Sequence, residues 1–133
     1  IVALLSILQV LRAGFQGTIL APTEILAKQH FKSALQFFSK IAPQFSVEIL
    51  TGSVTTKKKQ EIKARLATGR IDLLIGTHAV LTEDTIFQNL AIAIVDEQHR
   101  FGVKQRTILG KNNAHLVAMT ATPIPRTLAL TIY

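Results

Sequence analysis

The run Ile92-Ala93-Ile94-Val95 leads straight into Asp96-Glu97-Gln98-His99, and this junction constrains the fold more than any other stretch of the chain. Four consecutive apolar residues leave no polar face for solvent, so the run reads as a strand covered on both sides. Such strands belong to parallel sheets flanked by helices. In those sheets ligands gather just outside the carboxyl ends of the strands, where Asp96 and Glu97 fall. One carboxylate there can hold a Mg²⁺, usually through water, and a second can polarise a water for attack on a γ-phosphate. An acidic strand-to-loop turn without chemistry uses the same residues, so the junction needs support from the rest of the chain.

The spacing of apolar residues supplies the frame. Residues 1–12 read as a helix ended by Gly14, and residues 18–21 as a short strand stopped by Pro22. From Thr23, a good N-cap, Leu26, Phe31, Leu35, Phe38 and Ile41 predict the inner face of a helix closed by Pro43. Further strands are predicted over residues 47–50, 71–75, 90–95 and 115–119. A basic helix is predicted over residues 56–67, with Ile62 and Leu66 inward and Gly69 at its end, and a last helix near Pro125. Strands alternating with helices imply an α/β fold with a mostly parallel sheet and right-handed crossovers. The order of the strands is not readable from this pattern. With 133 residues and no repeat or linker, the chain is one domain at most.

Composition narrows the partners. Apolar residues make up 48% of the chain and charged ones only 17%, which predicts faces covered by further polypeptide. The absence of cysteine excludes a disulfide framework and a thiolate metal site. His30, His78, His99 and His115 show no metal-ligand spacing, and His30 and His115 are taken as structural. Residues 1–11, broken by Ser6 and Gln9, are too short to span a bilayer and lack the marks of a signal peptide. The first residue is not Met, which suggests a fragment. A net charge of +7 favours a polyanionic partner. Lys57, Lys58, Lys59, Lys63, Arg65 and Arg70 crowd one segment against Glu61 alone, as either a nucleic-acid contact or a solvated helix face.

The loops after the predicted strands share a chemistry. They are Ala21-Pro22-Thr23-Glu24, Thr51-Gly52-Ser53, Gly76-Thr77-His78, Asp96-Glu97-Gln98-His99 and Thr120-Ala121-Thr122-Pro123, and each carries a hydroxyl, a carboxylate or both. Backbone N–H groups and hydroxyls at such positions suit phosphate oxygens. Each Thr or Gly singly also serves as an ordinary cap or turn. In these residues, in this order, the chain resembles the first motor lobe of superfamily 2 helicases, within them the RecG branch-migrating DNA helicases. Ala21-Pro22-Thr23-Glu24-Ile25-Leu26-Ala27 is similar to motif Ia, Thr51-Gly52 to the TG motif and Gly76-Thr77-His78-Ala79 to the GTHA loop. Asp96-Glu97-Gln98-His99-Arg100-Phe101-Gly102-Val103, with Gln105-Arg106, resembles motif II, and Thr120-Ala121-Thr122-Pro123-Ile124-Pro125-Arg126-Thr127-Leu128 resembles motif III.

The resemblance implies a RecA-like three-layer sandwich of the P-loop NTPase class, with residues 1–133 as part of the ATP-binding lobe. It implies ATP and Mg²⁺ as cofactors and branched DNA, such as forks and Holliday junctions, as partner. By position, Asp96 would hold the Mg²⁺ through water, and Glu97 would activate the hydrolytic water. Gln98 and His99 would couple hydrolysis to lobe movement through Thr120 and Thr122. Arg126 fits an ATP-linked role or a cap or surface ion pair equally. Thr23, Gly52, Ser53, Gly76, Thr77 and His78 would lie along the DNA backbone, with Lys57, Lys58 and Lys59 adding charge. A bacterial, cytoplasmic setting without a membrane is implied as well.

One departure matters. The family's phosphate loop, G-x-x-x-x-G-K-[ST], is missing: Gly110-Lys111 is followed by Asn112, and Gln105 stands where the first Gly belongs. In the family that loop precedes the helix that opens this chain, so the expectation is a lobe cut after it, without the second motor lobe or the wedge domain, and inactive in isolation. The translocase module of a transcription-repair coupling factor is a related alternative, disfavoured by Gln98 where that family usually has Glu. A non-catalytic basic α/β nucleic-acid-binding module is the alternative of another class, and the pairing of Asp96-Glu97 with Thr120-Ala121-Thr122 speaks against it.

Overall fold

The computed structural model describes residues 2–77, 85–96 and 115–119. In chain order the elements are α1 (Val2–Arg12), β1 (Gln16–Ala21), α2 (Glu24–Ile41), β2 (Val47–Leu50), α3 (Thr56–Ala67), β3 (Leu73–Thr77), β4 (Leu90–Asp96) and β5 (His115–Met119). The strands form one sheet in the order β2-β3-β1-β4-β5, and every pairing is parallel. The period-2 alternation of the strands sorts their side chains to two faces. Ile19, Ala21, Leu73, Ile75, Ile92 and Ile94 pack with α1 and α2 on one side. Leu20, Leu74, Ala93 and Val95 pack with Ile62 and Leu66 of α3 on the other. The result is the three-layer α/β/α sandwich expected from the sequence.

The helix limits follow local chemistry. Thr23 and Thr55 are extended N-caps whose hydroxyls accept the N–H of Leu26 and of Lys58, each at 3.2 Å. Gly14 and Gly69 end α1 and α3 with φ of 92° and 80°, the left-handed region that glycine enters without a Cβ penalty.

Two expectations are corrected. On α2 the buried stripe is Ala27, Ala34 and Phe38, running on to Ala42, with Phe31 half-buried beside it, while Leu35 and Ile41 are 42% and 51% exposed. The two alanines let the helix lie close to the sheet, and that approach fixes its rotation so that Leu35 turns outward. Phe38 then anchors the far end, edge-on to Phe37 at 5.1 Å and to Phe45 at 6.3 Å between ring centroids. The third strand also starts later than expected and includes Gly76 and Thr77. Asp72 lies outside it because its carboxylate accepts the N–H of Ser46 at 2.8 Å, and its own N–H donates to the Ser46 carbonyl at 3.0 Å.

A buried amide ties the amino ends of the strands together. Gln16, 3% exposed, donates from Nε2 to the carbonyls of Leu66 and Ile71 at 3.0 and 2.7 Å. Its Oε1 accepts the N–H of Asn89 at 2.9 Å. One side chain thereby joins β1 to the end of α3, the approach to β3 and the approach to β4.

Candidate functional site

Because all five strands run parallel, their carboxyl ends line one edge of the sheet. β1 holds the centre, so Thr23, two residues past its end, lies between the ends of β3 and β4. Register sets the levels: Ala21 pairs with Thr77, Leu50 with Gly76, Leu20 with Val95, and Asp96 with Met119. Asp96 is therefore the last residue of β4, level with the end of β1, and Glu97 follows it past the described strand. Glu97, Gln98, His99, His78, Thr120, Thr122, Arg126 and the helix expected near Pro125 lie outside the described residues.

The predicted phosphate-facing residues divide by environment. Thr23 is exposed, and its hydroxyl oxygen accepts the Leu26 N–H. The cap uses a lone pair and leaves the hydroxyl proton able to donate. Gly52 and Ser53 are exposed in the turn after β2, closed by the Val54 N–H on the Thr51 carbonyl at 3.2 Å. Gly52 has no positive φ, and a Cβ there would meet no atom within 4 Å. Neither backbone conformation nor packing among the described residues calls for glycine at this position, so open space is what it supplies. Gly76 instead lies buried inside the sheet, and Thr77, 8% exposed, ends β3. The structure therefore does not bring Gly76 to the surface with the others.

Sequence reasoning placed Glu24 and Thr51 in the edge loops without a role of their own, yet they join those loops to each other. Glu24 Oε1 accepts from the Thr51 hydroxyl at 3.1 Å and from the Ser53 hydroxyl, and lies 3.6 Å from Lys28 Nζ. The two hydroxyls are themselves 3.1 Å apart. The Ser53 hydrogen bond, helped by Thr51 and the Lys28 charge and opposed by partial burial, holds the Glu24 carboxyl below its ordinary range. A depressed folded pKa means that the bond contributes fully above the ordinary carboxylate range and is lost only as acid titrates through the lower folded value. The available signal was the presence of an acid and two hydroxyls in loops that share an edge.

The basic segment also divides. Arg65 bonds Glu48 at 3.2 Å and Ser46 at 3.5 Å, fastening the edge strand β2. Lys57, Lys58 and Lys59 occupy the first turn of α3, which contains no acidic residue. Cations at a helix N-terminus oppose the macrodipole by about 0.3–1 kcal/mol each. Lys58 reaches Glu61 at 3.8 Å with both side chains about half exposed, a pairing of little strength. Since α3 follows β2, this turn sits at the same carboxyl edge, where an anion would relieve the mismatch. Among the described residues no group of three or more His, Asp or Glu could cage a metal.

Comparisons with known proteins agree with this geometry. A family model described as DEAD/DEAH box helicase matches residues 1–131. The ATP-dependent DNA helicase RecG of Synechocystis sp. is 50% identical across 100% of this chain and 16% of that protein. RecG of Mycobacterium tuberculosis is 46% identical across 100% of this chain and 20% of its own length. A structure of RecG bound to a three-way DNA junction matches with a TM-score of 0.81 and 44% identity, over 99% of this chain and 17% of that one. The chain thus spans 16–20% of the length of these curated relatives. Among the described residues no helix is long and apolar enough to cross a membrane.

Proposed function

Because the chain belongs to the DEAD/DEAH box helicase family, we propose that it forms part of the first motor lobe of a RecG-type DNA helicase, residues 1–133 contributing the segment from motif Ia to motif III. The observation that carries this is the convergence of Thr23, the 51–53 turn, the end of β3 and Asp96 on one edge, with three lysines on the adjoining helix turn. The relatives named above are ATP-dependent helicases, one of them solved on a three-way junction. By that likeness the whole protein acts in the bacterial cytoplasm on branched DNA, with a second motor lobe and a wedge domain as partners within its own chain.

Asp96 would hold Mg²⁺ through water, and the ion would offset charge on the nucleotide phosphates. Glu97 would orient and accept a proton from the attacking water. Gln98 and His99 lie next in the chain, where they can pass the state of the nucleotide to Thr120, Thr122 and Arg126. Thr23, Gly52, Ser53, Thr77 and His78 would follow the DNA backbone, with Gly76 behind them in the sheet.

Charge at the edge gives the test. Exchanging Lys57, Lys58 and Lys59 together for Ala in a full-length RecG carrying this chain should weaken DNA binding similarly for all sequences. The slope of log K against log salt should shrink by about two to three, since each phosphate contact contributes ~0.9. An unchanged slope would make these lysines a solvated face. The 133-residue polypeptide alone, which carries no phosphate loop, should release no phosphate from ATP above a Glu97→Gln control.

A further inference from the structure

We propose that Glu24 is the positioning residue of the DNA track: its Oε1 locks the Thr51-Gly52-Ser53 turn onto the first turn of α2, so that two phosphate-facing loops act as one rigid surface. The proposal rests on the assignment of this edge to the DNA backbone. β1 and β2 are not neighbours, because β3 lies between them. At ~4.8 Å per strand their ends are about 10 Å apart, and no ladder hydrogen bond joins them. Glu24 spans that gap. Both hydroxyls of the turn and the Lys28 ammonium converge on the same oxygen of Glu24, 27 and 29 residues away in sequence from Thr51 and Ser53.

This arrangement also reassigns Ser53. With its hydroxyl proton directed to Glu24, the side chain has no proton left to donate to a phosphate. Donation from this turn falls to backbone N–H groups, beside the open space that Gly52 leaves. A carboxylate is a poor neighbour for phosphates, and its presence is explained by what it accepts: two hydroxyl donors on one oxygen, with Lys28 balancing the charge. Preorganisation of this kind improves affinity by removing the cost of ordering the loop on binding.

The test uses a full-length RecG carrying this chain and forked DNA, reading the DNA concentration for half-maximal ATPase stimulation and kcat at saturating DNA. Glu24→Ala should raise the half-saturating concentration roughly fivefold to tenfold and leave kcat unchanged. Glu24→Gln keeps the acceptor oxygen and loses only the charge, so it should stay within about twofold of the parent. Thr51→Val with Ser53→Ala removes both donors while Glu24 remains, and should reproduce the Glu24→Ala shift even if that variant folds poorly. Gly52→Val fills the open space and should weaken DNA binding independently of the clamp. If Gly52→Val weakens binding while Glu24→Ala and the Thr51/Ser53 pair do not, the clamp is overturned and the track stands. If Gly52→Val has no effect, the track assignment fails and the clamp with it. Tighter DNA binding by both Glu24→Ala and Glu24→Gln would overturn the clamp in favour of simple charge repulsion.

Discussion

Replacing Glu97 by Gln in a full-length RecG carrying this chain is expected to lower DNA-stimulated ATP turnover by about two to four orders of magnitude, the usual yield of a positioned general base. Nucleotide binding should stay close to its original strength. The amide is isosteric with the carboxylate but cannot accept the proton of the attacking water. Asp96→Asn should behave differently. Asp96 closes β4 at the carboxyl edge, and under the proposed role its exchange would remove the charge offered to a hydrated Mg²⁺, so binding of the Mg-nucleotide itself should weaken. A binding titration beside single-turnover hydrolysis separates the two variants. Near-normal turnover in Glu97→Gln would mean that Glu97 is a structural acid.

Gln16→Leu should destabilise the fold by about 3 kcal/mol, a large part of a typical ~5–15 kcal/mol. Leucine fills a similar volume but abandons the Asn89 N–H and the Ile71 carbonyl, both served by the buried Gln16 side chain. The Leu66 carbonyl keeps the N–H of Gly69 at 3.2 Å, which limits the damage there. A buried donor without a partner costs more than an ordinary hydrogen bond contributes. Urea unfolding should show a lower midpoint, and hydrogen exchange should speed up along β1, a local measure that remains valid in a multidomain protein. Unchanged exchange along β1 would mean that other groups replace the amide.

The architecture was largely legible because it is written in short-range patterns. Apolar runs with Gly and Pro at their ends located β2 and α3 to the residue, and the apolar run before Asp96 located β4 to within one residue. What escaped depends on contacts between distant residues. Leu35 fits a helical face as well as Ala34 does, and only the close approach of α2 to the sheet decides between them. Gly76-Thr77 resembles a loop motif but is held in β3 by pairing with β1 and β2. Gln16 reads as polar punctuation before a strand, since its side-chain partners lie 50, 55 and 73 residues away. The bonds from Glu24 to Thr51 and Ser53 are hidden for the same reason.

The central position of β1 has a mechanical consequence. The strand is buried along its whole length and hydrogen-bonded on both sides, to β3 and to β4. Sliding Thr23 relative to Asp96 would shear a ladder that runs the length of β1, whereas tilting the whole sheet breaks nothing within it. The block is therefore stiff against sliding of one strand along the next. Such a body does no work by deforming. Any displacement of such a block is that of a rigid body, with the strain taken up at its surfaces.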